Sequence, residues 1–155
     1  MDMETFAKKA EILRPKLYRT AVCYFGDPST ALDVLDEAVY RGLCACKKLK
    51  QPEFFDTWMT RILINECHRE QKRRSRFHSL DDLPEPVAEE LDTLPLREAI
   101  LRLPKELKEV VILRYFSGFT LAQTADALQI PQGTVVTRQR RALKLLRLEL
   151  EEVSL

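Results

Sequence analysis

The chain has 155 residues, 45% hydrophobic and 32% charged, which is enough apolar material for packed cores and excludes a wholly disordered chain. Its 25 basic and 24 acidic side chains leave a net charge of +1, so overall charge names no class of partner. The length admits one ordinary domain or two small ones.

Charge is unevenly distributed along the chain. Residues 1–79 carry 15 basic and 11 acidic side chains, residues 80–99 one and seven, and residues 100–155 nine and six. Two mildly basic blocks joined by an acidic segment imply two units and a linker. The N-terminus, MDMETFAKKAEIL, lacks the uninterrupted apolar core of a secretory signal, and no stretch is long and apolar enough to span a membrane. A cytoplasmic protein is expected, with Cys23, Cys44, Cys46 and Cys67 as reduced thiols. Cys44-x-Cys46 with Cys67-His68 fits no common zinc spacing, so neither a metal nor a cofactor is expected.

In chain order, residues 4–25 read as a helix in which Pro15 is the awkward residue. Gly26-Asp27-Pro28-Ser29 is a turn that starts a second helix. That helix runs to about residue 49, with Leu32, Leu35, Val39, Leu43 and Cys46 at helical spacing. Pro52 breaks the pattern. A third helix, from about 54 to 74, turns Phe55, Trp58, Met59 and Ile62 inward and ends in a basic run. Residues 78–95 are rich in Pro and acids and read as a linker. Leu96–Leu103 follows, then Pro104 at a first helical position and a helix that Gly118 ends. Thr120 and Gln123 have capping-box spacing, opening a helix that stops near Gln129. The last helix begins near residue 132. No segment alternates long enough to make a strand, so the fold class is all-α.

The pair of helices 121–128 and 132–146, joined by a tight turn, has the shape of a helix-turn-helix. Ala125 sits at the close approach, and Ile130 and Val135 supply apolar contacts. Thr134, Thr137, Arg138 and Arg141 share the exposed face of the second helix, where Arg can donate two hydrogen bonds to a guanine edge. Arg140, Lys144 and Arg147 flank it and suit phosphates. In the first block, Asp33, Asp36, Glu37 and Tyr40 share one helix face, which reads either as an ordinary solvated face or as a docking surface for a basic protein. Arg61, Asn65, His68, Arg69 and Lys72 form a mostly basic stripe, suited with nearby aromatics to single-stranded nucleic acid. His68 is expected to meet phosphate or solvent. No Gly-rich phosphate loop, HExxH or G-x-S-x-G occurs, so an enzyme is not expected.

Two stretches carry a resemblance. Asp33-x-x-Asp36-Glu37-Ala38-Val39-Tyr40-Arg41, followed by Phe55-x-Thr57-Trp58-x-x-Arg61-Ile62-x-x-Asn65 and the basic run, resembles region 2 of bacterial extracytoplasmic-function (ECF) sigma factors. Leu103-Pro104, Val111-x-Leu113-Arg114-Tyr115, Gly118-Phe119-Thr120 and Ile130-Pro131-x-Gly133-Thr134-Val135-x-Thr137-Arg138 resemble their region 4. The resemblance implies region 2 over residues 1–77, a linker over 78–95 and region 4 over 96–155. It implies a dissociable subunit that binds core RNA polymerase and directs it to promoter DNA.

Asp33, Asp36, Glu37, Tyr40 and Arg41 match the family's contact with the clamp helices of the largest subunit. The loop Leu49 to Phe54, with Lys50, Gln51, Pro52 and Glu53, matches the capture of a flipped −10 base. Trp58, Arg61, Asn65, Arg69, Lys72 and Arg73 match contacts to the opened strand. Thr120, Thr134, Val136, Thr137, Arg138, Arg140 and Arg141 match the −35 reader. The flap of the second-largest subunit and an anti-sigma factor are the further partners implied. Val136 replaces a frequent Lys, Gln139 a usual Leu, and Gln129 a usual Gly. A positive φ at Gln129 costs about 1 kcal/mol. The competing expectations are a free-standing helix-turn-helix regulator and a protein-interaction adaptor with a thiol-bound metal.

Overall fold

The computed structural model describes residues 1–77 and 94–153. Every regular element among them is helical, as the all-α reading expects. In the front block, α1 spans Met3–Phe25, α2 Pro28–Ala45 and α3 Phe55–Phe77, with 3-10 turns at Cys46–Lys48 and Pro52–Phe54. In the rear block, α4 spans Leu94–Arg102, α5 Lys105–Val111, α6 Leu121–Leu128 and α7 Gln132–Val153. Most of the linker reading falls outside the described residues. Its last two residues, Leu94 and Pro95, already belong to α4.

Helix α1 runs straight through Pro15. Pro15 is exposed, so the carbonyl that loses its N–H partner can turn to water. The helix is held by its inner face, where Phe6, Ala10, Leu13, Leu17, Ala21 and Tyr24 are buried at helical spacing. It ends at Gly26, whose φ of 72° is the left-handed cap that favours glycine.

Asp27 then caps α2, accepting from the Ser29 amide at 3.1 Å, with Pro28 in the first turn. Hydrogen bonds, chiefly from the Thr30 hydroxyl, hold the Asp27 carboxyl below its ordinary range, with Arg74 of α3 contributing. Its contribution is present above the ordinary carboxylate pKa and fades as pH falls through the lowered value. Asp27→Ala is expected to cost about 1 kcal/mol in urea unfolding at neutral pH, with the difference shrinking in acid.

The buried face of α2 differs from the one the apolar spacing predicts. Ala31, Val34, Leu35, Ala38 and Gly42 face inward, Val39 and Leu43 are half-buried, and Leu32 is 44% exposed. Small residues win that face because α2 packs closely on its neighbours. A Cβ at Gly42 would lie 2.8 Å from the Met59 sulfur and 3.0 Å from the Phe6 ring.

Pro104 is the cap of α5 and not its first helical residue. The helix expected up to Phe116 is α-helical only to Val111 and finishes as a π-helical turn, Ile112–Phe116. Thr120 closes a full capping box with Gln123 at 3.1 and 2.9 Å. Gln129 has a φ of 57°, the positive value that a glycine there would take without strain.

The two blocks share one core. Phe6, Leu17, Tyr24, Leu35, Met59 and Leu63 of the front block belong to the same buried cluster as Ile100, Leu107, Ile112 and Leu146 of the rear block. Ile64 of α3 packs with Leu113, Phe119 and Ala127. A Cβ at Gly26 would meet a Leu101 methyl at 2.8 Å. Polar contacts cross as well. Lys108 Nζ donates to the Tyr24 carbonyl at 2.9 Å, and the Thr20 and Ser117 hydroxyls are 2.7 Å apart.

Candidate partner and nucleic-acid surfaces

The outer face of α2 carries the acidic group the spacing predicts. Asp33, Asp36, Glu37, Tyr40 and Arg41 are all exposed. Two arginines organise the face. Arg14 of α1 pairs with Asp36 at 2.8 Å, and Arg41 pairs with Glu37 at 3.0 Å and with Glu66 of α3 at 2.6 Å. The Arg73 guanidinium of α3 is held above its ordinary pKa chiefly by Glu70, with the Asp33 charge contributing. The Tyr40 hydroxyl, hydrogen-bonded to Cys44, is held above its ordinary pKa. Leu32 lies one turn from Asp36, so apolar surface at Leu32 and Tyr40 flanks the carboxylates. Leu32 was expected inside. Its neighbour positions held the signal, since Ala31 and Ala38 suit a close helix contact better.

The 3-10 turns bring Lys50, Gln51, Pro52 and Glu53 to the surface beside Phe54, which is 52% exposed. The chain there is anchored by buried Leu49, whose carbonyl accepts from the N-terminal ammonium at 3.0 Å. Behind the loop, Trp58 is half-buried. Its ring lies edge-on to Phe6, with centroids 6.4 Å apart, and tilted on Phe55 at 6.1 Å. Trp58 is thus mainly a wall of the front core.

On α3 the stripe divides. Asn65, Arg69, Lys72 and Arg73 are exposed. Arg69 pairs with Glu66 at 2.7 Å and Arg73 with Glu70 at 2.7 Å. The Arg73 guanidinium holds the Glu70 carboxyl below its ordinary range, so these cations stand on a charged floor. Glu66, buried and shared by Arg41 and Arg69, ties the acidic face to the basic stripe. Its role could not be read from spacing, because one of its partners lies on another helix. Arg61 and His68 do not face open solvent as expected. Arg61 contacts Asp126 of α6 at 3.2 Å, and His68 is hydrogen-bonded to Glu109 of α5. Each is partly covered because the rear block packs along that edge of α3.

The rear block forms the expected helix-turn-helix. Ala125, Val110 and Val135 make its small core, with Ile130 packed against it. Thr137, Arg140 and Arg141 are exposed on α7, and Thr134, Val136 and Arg138 are half-exposed. Thr120 is exposed but spends its hydroxyl on the cap. Arg138 lies 3.8 Å from Glu106, which is itself open to solvent. Gln139, polar at an inward position, is satisfied: its side-chain oxygen accepts from Arg114 Nε at 3.0 Å. Arg114 also donates to the Phe119 carbonyl at 2.6 Å, so one guanidinium ties the π-helical turn to the second helix of the motif.

Cys46 and Cys67 are buried and Cys44 is exposed. Among the described residues no three His, Cys, Asp or Glu side chains group as metal ligands. No helix among them is long and apolar enough to cross a membrane.

Two family models match this chain: sigma-70 region 2 over residues 10–77 and sigma-70 region 4 over residues 93–146. RNA polymerase sigma factor SigV of Bacillus subtilis (strain 168) is 29% identical over 143 residues, covering 89% of this chain and 86% of the relative. ECF RNA polymerase sigma factor SigW of the same organism is 26% identical over 172 residues, covering 98% and 92%. ECF sigma factor SigL of Mycobacterium tuberculosis (strain ATCC 25618 / H37Rv) is 29% identical over 155 residues, covering 88% and 84%. In fold, the chain is similar to the sigma factor RpoE in complex with the anti-sigma factor NepR from Bartonella quintana. The TM-score is 0.81 at 20% identity, covering 96% of this chain and 98% of that one. It is also similar to CnrH in complex with the cytosolic domain of CnrY, with a TM-score of 0.77 at 19% identity, covering 97% and 90%.

Proposed function

The chain belongs to the sigma-70 family, in its ECF branch, and we propose that its two blocks divide promoter recognition as follows. The acidic face of α2, centred on Asp33, Asp36 and Glu37, docks on basic clamp helices of core polymerase. Complementary charge speeds encounter and fixes register there, while Leu32 and Tyr40 add apolar contact. The loop 49–54 receives a base extruded from the −10 element. Extrusion costs a few kcal/mol of stacking, least where the duplex is weak. The exposed cations of α3 hold the opened strand and offset that cost without a catalytic step.

Helix α7 enters the major groove of the −35 element with Thr134, Val136, Thr137, Arg138, Arg140 and Arg141. Exposed Leu143 and Leu148 further along α7 suit the flap of the second-largest subunit. Neither block needs to bind tightly, because tethering both to polymerase raises their effective concentrations. The protein works in the cytoplasm, where polymerase is. An anti-sigma factor controls it, as the partners of its two structural neighbours suggest.

The observation that carries this reading is the acidic α2 face, which a free-standing DNA-binding regulator does not need. Gel filtration of the chain with purified core polymerase tests it. Co-elution in a one-to-one complex is expected. Separate elution, with the chain binding duplex DNA unaided, would favour the free-standing regulator.

A further inference from the structure

Most of α7 is accounted for by packing or by charge, but one strip of it is not. Gly133, Val136, Thr137 and Arg140 fall at i, i+3, i+4 and i+7, so they line one side of the helix in its first turns. Nothing in the folded chain explains the first three. A Cβ at Gly133 would meet no atom within 4 Å. Glycine weakens a helix relative to alanine, and here no neighbour requires it. Val136 is half-exposed and belongs to none of the three apolar clusters of the described residues. Thr137 is exposed, and its hydroxyl donates to the Gly133 carbonyl at 3.0 Å. That proton stays within the helix, so Thr137 cannot also donate it to a base, and its methyl group is the apolar surface it has left. Thr134, Arg138 and Arg141, on the other edge of the same face, are polar.

We propose that this strip seats the 5-methyl group of one thymine in the −35 element. Gly133 supplies the depth, because without a side chain a base edge can come against the backbone of the first turn. Val136 and Thr137 supply the walls, an isopropyl and a methyl group. In the major groove thymine shows a methyl group beside its O4 acceptor, whereas cytosine shows an amino group and the purines show N7 with an amino group or an oxygen. Any base but thymine would press a polar group on these apolar walls and leave it without a partner. Val136 is stiff at χ1, so seating the methyl costs it little freedom. The strip also lies where DNA comes closest. The N-terminal residues of the second helix of a helix-turn-helix meet base edges, and Arg140, one turn on, is a cation for the flanking phosphate. This inference rests on the reading of α7 as the −35 reader and names one base that the reader selects.

The test uses the full-length chain assembled with purified core polymerase. Promoter fragments randomised over about one helical turn around −35 are selected by binding. Each thymine of the enriched element is then replaced in turn by uracil, which removes the methyl group and leaves the pairing intact. At one thymine the replacement weakens wild-type binding about three- to fourfold, the worth of one buried methyl group. The same replacement leaves the affinity of Val136→Ala unchanged. With a C·G pair at that position binding falls, and 5-methylcytosine recovers about threefold over cytosine. Gly133→Ala adds a methyl group in open space, so the variant melts no lower than wild type. It binds the enriched element at least about fivefold more weakly, as a mismatched base pair would. An element with no uracil-sensitive thymine overturns the proposal, as does equal sensitivity in wild type and Val136→Ala, or wild-type affinity in Gly133→Ala. Val136→Ala that loses core polymerase, with no uracil effect in wild type, gives the strip to a protein partner instead. A selection that enriches no element sinks the reading of α7 itself, whereas an enriched element without the uracil effect sinks this inference alone.

Discussion

Asp33→Lys combined with Glu37→Lys is expected to abolish binding of the chain to core RNA polymerase, with affinity falling at least a hundredfold. Both side chains are exposed on one face of α2, and neither supports the core. Reversing them places two charges of the wrong sign against a basic partner, a change of four in net charge, and like charges brought together at an interface cost several kcal/mol. The intramolecular cost is small. Glu37 loses an exposed pair with Arg41, worth about 0.3–0.5 kcal/mol. Arg41 keeps Glu66. Helicity and melting should therefore remain near wild type, and titration of labelled core polymerase reads the binding loss directly. Retained binding would remove the acidic face from the docking surface.

Arg138→Ala should cost about 1–3 kcal/mol of −35 recognition, roughly five- to 150-fold, and should relax selectivity at one base position. The side chain is half-exposed on the reading face of α7 and is held only loosely, 3.8 Å from exposed Glu106. DNA can take it over at little cost. Arg140→Ala is expected to differ in kind. A cation serving phosphate weakens all sequences alike and lowers the salt dependence by about one counterion. Competition binding with point-mutated −35 duplexes separates the two. Equal losses on every duplex for Arg138→Ala would move that residue to the backbone.

The helices and the helix-turn-helix were legible because their signals are local. The turn at Asp27-Pro28 and the Thr120 capping box start the helices they precede, and Ala125 and Val135 fall at fixed offsets within one motif. The acidic face was legible for the same reason. Leu32 was misplaced because a hydrophobic pattern counts large residues, whereas the buried face of α2 is built from Ala31, Ala38 and Gly42 for close approach. Gln139 looked like an intruder on an apolar face. Its partner, Arg114, lies 25 residues earlier. The packing of one block on the other was invisible for a stronger form of that reason. Tyr24 meets Glu109 across 85 residues and Arg61 meets Asp126 across 65, and no spacing rule reports a contact between helices that distant. His68 was consequently assigned to phosphate or solvent, when its neighbour in the folded chain is a carboxylate.

The most direct measurement is transcription from a pool of bacterial promoter fragments by purified core polymerase, with and without the chain, mapping every start site. The account predicts a small set of new, discrete starts. Each would be preceded by the same pair of sequence elements at one fixed separation, and the set would be lost with Asp33→Lys/Glu37→Lys. Start sites scattered as they are with core alone would contradict it.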